Sequence, residues 1–286
     1  MNKKGIAPLV IVAIVVVVAF VAVVSVYVVT RSEGGGENHP NGGTYSRSAI
    51  RIQSNDQFTS ANGVTGGSGT ADDPYIIGNW DISVENTNGI WIENTTAYFI
   101  IRNCLVENGR SFFNCGIYLS NVINGRIENN TCSNNGFGIR LYSSDSNAIT
   151  GNTCENDSQR GIYLSYSNYN NLTANTCENN GDGIDLYFSS YDNLTGNTCP
   201  NNNTGIFLAS SAYNNLTANI CSNSPIYGLL LESSSYNNLT GNTCENNSGV
   251  GIFLNSSSNS NTMIGNNLLN NAFGPYADGG TNNHWS

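Results

Sequence analysis

The sequence predicts an all-β chain folded as a right-handed parallel β-helix, a solenoid of about 22-residue coils. Three observations lead there. Cysteines recur at Cys132, Cys154, Cys177, Cys199, Cys221 and Cys244 in steps of 22 or 23 residues, and Leu268 follows in the same local context, "MIGNNLLNN". A second motif, Gly-Ile-x-Leu or a close variant, keeps the same period from Gly89 through Gly116, Gly138, Gly161, Gly183, Gly205, Gly228 and Gly251. Finally, the apolar patches of the repeat alternate with period two, and none has the 3.6-residue spacing of an amphipathic helix.

The chain divides in order. Residues 1–5 form a short leader, and residues 6–30, "IAPLVIVAIVVVVAFVAVVSVYVVT", are 25 residues without a charge. At about 1.5 Å per residue such a segment spans a bilayer as a transmembrane or signal-anchor helix. Lys3 and Lys4 precede it, which puts the N-terminus on the cytoplasmic side. Residues 31–48 read as a flexible linker. Residues 49–104, richer in aromatics, read as an N-terminal cap and first coils, because a bare coil exposes core and strand edges. Residues 105–271 carry the regular repeat, and 272–286 form a C-terminal tail or cap. The net charge is −10, and Lys3 and Lys4 are the only lysines. The acidic, lysine-free remainder excludes nucleic acid as a partner and suits the outside of a cell.

Within a coil, about 22 residues at ~3.3 Å each trace roughly 70 Å, enough for three short strands and three bends. Parallel crossovers of this kind wind right-handed. The asparagines two before each cysteine (Asn130, Asn152, Asn175, Asn197, Asn219, Asn242) and two after it (Asn134, Asn156, Asn179, Asn201, Asn223, Asn246) predict two asparagine ladders at tight bends. Leu172 and Cys177 are five apart, so a bend at Ala174-Asn175 must return both to the interior. The cysteines themselves read as small hydrophobes in an interior column equivalent to Leu268. Disulfides between turns and a metal site are weaker alternatives: no C-x2-C pair occurs, and the two histidines, His39 and His284, lie in linker and tail. The redox state of Cys104 and Cys115 stays open. No metal or other cofactor is expected.

The middle residue of each Gly-Ile-x-Leu motif supplies the candidate binding strip: Trp91, Tyr118, Arg140, Tyr163, Asp185, Phe207, Leu230 and Phe253. One per turn, they are expected to face outward on one sheet, where aromatic faces with a few polar groups hold sugar rings. The tyrosines Tyr169, Tyr191, Tyr213 and Tyr236 are expected to pack as a ladder beside a bend. Ten N-x-[ST] sequons occur, four of them as "NLT" at Asn171, Asn193, Asn215 and Asn238, and these are the candidate glycan acceptors.

"GSGTADDPYIIGNWDI", then "GIWIENTTAYFIIRNC" and the NNLTGNTC-type repeats, resembles archaeal surface right-handed parallel β-helix proteins. These are related to NosD-like repeats and to carbohydrate-binding and sugar-hydrolase β-helices. The opening "NKKGIAPLV" resembles archaeal prepilin-type signals, which implies a peptidase cut after Gly5. The first resemblance implies fold over residues 50–275. It leaves function open, because this fold hosts lyases, hydrolases, adhesins and structural proteins. The copper role of the NosD group implies no residue here.

Lyase-like members need an acidic calcium cluster with an Arg or Lys base, and hydrolase-like members several aspartates and a His on one face. The repeats contain no histidine and no lysine, and Asp185 has no second carboxylate placed by the period as its partner. The sequence therefore predicts no catalytic residues. It predicts a membrane-tethered, single-pass protein with its ectodomain outside the cell, binding glycans or neighbouring surface proteins. A polysaccharide lyase or glycoside hydrolase is the alternative, and a structural or pilus-like filament subunit the second.

Overall fold

The computed structural model describes residues 45–286. The predicted leader and membrane span at 1–30, and residues 31–44 of the linker, lie outside the described residues. Among the described residues no helix is long and apolar enough to cross a membrane.

Three ten-stranded sheets run the length of the solenoid, and each strand pairs in parallel with the strand three places along the chain. The coil is right-handed. One turn serves for all: Asn171–Thr173, Thr176–Glu178 and Asp182–Tyr187. We call the three faces the Leu sheet, the Cys sheet and the Gly-Ile sheet. Each short strand carries one or two side chains inward, and the stacked positions form continuous columns. Ile139, Ile162, Ile184, Ile206 and Ile252 share one such column with Leu229, fully buried as the sequence predicts. Leu172, Leu194, Leu216 and Leu239 make a second.

The cysteines make a third. Cys132 pairs in register with Cys154, Cys154 with Cys177, Cys199 with Cys221, and Cys244 with Leu268. All eight cysteines are free and buried. Cys115 opens the strand Cys115–Val122. The repeated glycine follows from this column. A β-carbon on Gly161 would come within 2.8 Å of the Gly183 carbonyl oxygen and 2.9 Å of the Cys177 β-carbon. Glycine lets the two strands close around the thiol.

The asparagines two before the cysteines form the ladder expected. The Asn175 backbone N–H and side-chain amide both donate to Asn197 Oδ1, at 3.0 and 2.9 Å, and Asn175 Nδ2 also donates to the Ile149 carbonyl at 2.9 Å. The left-handed residue is the one before: Ala174 has φ 53°, Gly151 66° and Gly196 63°. The second ladder lies one residue later than expected. Asn134, Asn156, Asn179, Asn201, Asn223 and Asn246 are themselves the left-handed bend, with φ between 56° and 59°. A left-handed residue turns the chain so that its successor points inward. The buried ladder is therefore Asn135, Asp157, Asn180, Asn202, Ser224 and Asn247. The turn from the Gly-Ile to the Leu sheet holds two further ladders that the period had also spelled out. One is serine, through Ser144, Ser167, Ser189, Ser211, Ser234 and Ser258. The other is Asn147, Asn170, Asp192, Asn214, Asn237 and Asn261.

At the N-terminal end, two 3-10 turns, Asn55–Gln57 and Ser60–Asn62, bring Phe58 over Tyr75, with ring centroids 4.7 Å apart. Trp80 Nε1 donates to the Gly63 carbonyl at 2.8 Å. At the other end the pairing runs on to Tyr276–Asp278 and His284–Trp285, where Tyr276 and Trp285 stack at 4.1 Å.

Candidate functional site

The outer face of the Gly-Ile sheet carries the predicted strip as one register column. Trp91 lies beside Tyr118, followed turn by turn by Arg140, Tyr163, Asp185, Phe207, Leu230 and Phe253. The column is not a free aromatic face. Asp185 is 2% exposed and Leu230 7%, and the rest are half-buried. A second outward column covers its flank: Phe137, Arg160, Asp182, Thr204, Tyr227 and Val250. It arises because Gly138 and its equivalents turn inward with the following isoleucine. The residue before each glycine thereby joins the outer face, a consequence of the bend that simple alternation misses.

Between the two columns rings and guanidinium groups interleave. Arg140 lies 5.2 to 5.5 Å from the ring centroids of Tyr118, Phe137 and Tyr163. Phe137 and Tyr163 stack at 5.5 Å. Arg160 sits 4.8 Å from the Tyr163 ring, bonds the Asp185 carboxylate and lies 3.8 Å from Asp182. Further along, Arg51 lies 4.0 Å from the Trp91 ring and pairs with Glu93, and Tyr227 meets Phe253 at 5.0 Å. Among the described residues no carboxylate is within ion-pair distance of Arg140, whose buried Nε lacks a hydrogen-bond partner. Such a cation, held by ring faces, keeps its charge for an incoming oxygen.

Asp185 therefore does not flank Tyr163 as a free acid. Burial pushes its carboxyl up to about 7, and the Arg160 charge only partly opposes this. Burial also raises Asp182 and the Tyr163 phenol. The expectation that no second carboxylate accompanies Asp185 is corrected: Asp182 reaches the same guanidinium, three residues earlier on the same strand. The inward bend at Gly183 puts both on the outer face, where strict alternation would have separated them.

The four predicted glycan acceptors line up on the outer face of the Leu sheet, exposed and in register. Their amides are not equivalent. Asn193 Nδ2 donates to Asn171 Oδ1 and Asn215 Nδ2 to Asn193 Oδ1, both at 3.0 Å. Acceptors on adjacent turns are also only about 4.8 Å apart, too close for neighbouring glycans. In a host with Asn-linked glycosylation, occupancy is expected at Asn171 or Asn238 and to be low at Asn193 and Asn215. Glycopeptide mass spectrometry reads this directly, and equal occupancy at all four would contradict it.

Residues 43–195 match the family model described as right handed beta helix region, and residues 153–286 match that described as periplasmic copper-binding protein (NosD). No curated protein matches the chain. Among solved structures it is similar to a double mutant of the periplasmic alginate epimerase AlgG, at 15% identity over 77% of this chain and 68% of that one, TM-score 0.60. It is similar to the A-module of the Azotobacter vinelandii mannuronan C-5 epimerase AlgE4, at 12% identity over 86% and 91%, TM-score 0.59. It is similar also to the Dettilon tailspike protein, at 18% identity over 82% and 60%, TM-score 0.54. At these identities the likeness is one of fold.

The description of the second family names copper, and the described residues do not fit a copper centre. The cysteine column points into a closed interior, and burial pushes the Cys177 thiol well up; Cys221 is lowered only because Cys199 and Cys244, themselves raised, hydrogen-bond it, so the stack shares protons within itself and turns no thiol toward a ligand site. Among the described residues no group of three or more His, Cys, Asp or Glu is placed to hold an ion. The matched span, the parallel coils and the register of the repeats agree on one conclusion. The chain belongs to the right-handed β-helix family and is NosD-like in its C-terminal half.

Proposed function

We propose that the outer face of the Gly-Ile sheet binds the sugar rings of an extended polysaccharide, and that residues 6–30 tether this face outside the cell. The observation that carries the reading is Arg140, a guanidinium with no carboxylate partner, set among Tyr118, Phe137 and Tyr163 in the middle of an aromatic column. Rings supply stacking surface, and the guanidinium supplies a forked donor for a sugar carboxylate or for paired hydroxyls. One residue per turn suits a ligand lying along the solenoid axis, whose successive contacts add avidity. The similar solved structures support the ligand class, with alginate and mannuronan epimerases among them.

A second reading is an enzyme acting on such a polymer, and Arg160 favours it. It holds Asp182 and Asp185 beside the Tyr163 ring, and Asp185, which burial raises to about 7, suits proton transfer near neutral pH.

The full-length chain in detergent, titrated with polyuronates and with neutral glucans, tests both. Arg140→Gln and Tyr163→Ala are each expected to weaken binding about three- to tenfold, in line with the loss of one stacking or charge-assisted contact. Unchanged affinity in both variants would remove the strip as a binding face. Unsaturated ends, new reducing ends or inverted uronate residues that disappear in Asp185→Asn would establish the enzyme instead.

A further inference from the structure

The tyrosine ladder beside the Leu sheet is interrupted, and the interruption is a cleft. Tyr169, Tyr191, Tyr213 and Tyr236 stack face to face, with centroids 5.0 to 5.1 Å apart and planes within 9° of parallel. All four hold left-handed backbone, φ 59° to 62°, which is costly for a bulky side chain and draws attention to what the rings do there. One turn earlier the same position is Ser146, φ 57°, and before it Asn124, φ 63°. One turn before that stands Tyr98. The column thus reads Tyr98, Asn124, Ser146, Tyr169, with two short side chains between two rings.

The space they leave is an open cleft of about 270 Å³, bounded by Tyr98 and Tyr169 and floored by Gly125, Asn147 and Ala148. Tyr98 is 40% and Tyr169 57% exposed. Three strand spacings separate the two turns, about 14 Å, and the outer face of the Tyr169 ring has no ring on it. The polar groups around it retain bonding capacity. The Ser146 hydroxyl has no hydrogen-bond partner among the described residues. Asn171 accepts from Asn193 but donates its own amide to nothing there, and Asn124 donates to the Thr96 carbonyl at 3.0 Å while its oxygen stays free. The one cation, Arg126, is tied to Glu128, with Nε 2.7 Å from the carboxylate, so the cleft offers no net charge.

We infer that this cleft is a binding site for a single neutral hexopyranose ring, which stacks on Tyr169 where the ladder breaks off. The volume lies just below the ~300–1,000 Å³ of drug-sized pockets, as a one-ring ligand needs. A sugar has an apolar C–H face for Tyr169 and a rim of hydroxyls for Ser146, Asn124 and Asn171, and an uncharged site selects against uronates. The site lies on a different part of the coil from Arg140 and does not depend on the reading of the Gly-Ile sheet.

The test is built into the repeat. Ser146→Tyr extends the ladder by one ring in a backbone conformation that four other turns already give to tyrosine, so it fills the cleft without demanding a new fold. The full-length chain in detergent, without N-glycans, is examined by saturation-transfer NMR with a panel of methyl hexopyranosides, and with p-cresol as the aromatic comparison. Transfer to at least one hexoside is expected, falling about fivefold in Ser146→Tyr and in Tyr169→Ala, consistent with the loss of one stacked ring. It is expected to persist in Tyr213→Ala and in Arg140→Gln. Melting of Ser146→Tyr at or above the temperature of the parent confirms that the coil is intact. No transfer to any hexoside, transfer undiminished in Ser146→Tyr, or p-cresol displacing every hexoside would each overturn the assignment.

Discussion

Exchanging Asn197 for alanine is expected to cost about 4 kcal/mol, a large share of the stability of an ordinary domain. The side chain is wholly buried, and both ends are used twice. Its oxygen accepts the Asn175 backbone N–H at 3.0 Å and the Asn175 amide at 2.9 Å. Its nitrogen donates to the Leu172 carbonyl at 3.0 Å and to Asn219 Oδ1 at 2.9 Å. Alanine leaves the Asn175 backbone N–H and the Leu172 carbonyl of the preceding turn without these partners, where each orphan costs about 1–3 kcal/mol, while Asn219 Oδ1 keeps the backbone N–H of residue 197. Some relax onto one another or onto entering water, which holds the sum below the simple total. Asn201→Ala is the comparison. Asn201 lies four residues further on, exposed, and loses mainly its tolerance of φ 59°, about 1 kcal/mol. Urea unfolding of the two variants separates these roles. Equal losses would mean that the amide ladder is not what holds adjacent turns in register.

That comparison also marks how far the sequence could be read. The period and its two anchors place Ile162, Leu172 and Cys177 in the interior, because a column is specified by every turn at once and errors average out. The bends are specified by single residues, and there the reading slips by one: asparagine at the position after Glu178 is the left-handed residue, and Asn180 behind it is the rung. Both are asparagine in this turn, so composition cannot separate them. The turn with Asp157 points the wrong way, since aspartate is costly on a buried rung and free at an exposed bend, yet here it is the rung. In the candidate site the strip was legible as a column, but its burial was not. Asp185 is buried because Gly183 folds inward and lets Arg160 and Asp182 stand beside it, and that depends on packing across three turns rather than on any one motif. The break in the tyrosine column was spelled out at Ser146, yet only the opposed ring of Tyr98 makes it a cleft.

Asp192 should be a defect that asparagine repairs, and pH should reveal it. The residue occupies a ladder rung that is asparagine at 147, 170, 214, 237 and 261. Its Oδ1 accepts the Asn170 backbone N–H at 2.7 Å and the Asn170 amide at 3.2 Å, but its buried Oδ2 has no partner. In the asparagine turns the corresponding nitrogen donates to a carbonyl, as Asn214 does to Ser189 at 3.2 Å and Asn237 to Ser211 at 3.0 Å. Burial pushes the Asp192 carboxyl from its ordinary 3.8 up to about 8. The folded chain thus holds a proton that the unfolded chain gives up once the pH exceeds about 4. A raised folded pKa contributes stability that is fully present below the unfolded value and drains as pH rises to the folded one. At about 1.4 kcal/mol per pH unit, Asp192→Asn is expected to gain on the order of 4 kcal/mol at pH 7. The gain should be small at pH 4 and level off above pH 8. Asp157 and Asp185 drain stability in the same direction in parent and variant alike, so the informative quantity is the difference between their urea midpoints across that range. A difference that does not change with pH would mean that Asp192 ionises in the folded coil as readily as in water, and that the unpartnered oxygen has found a proton donor or solvent.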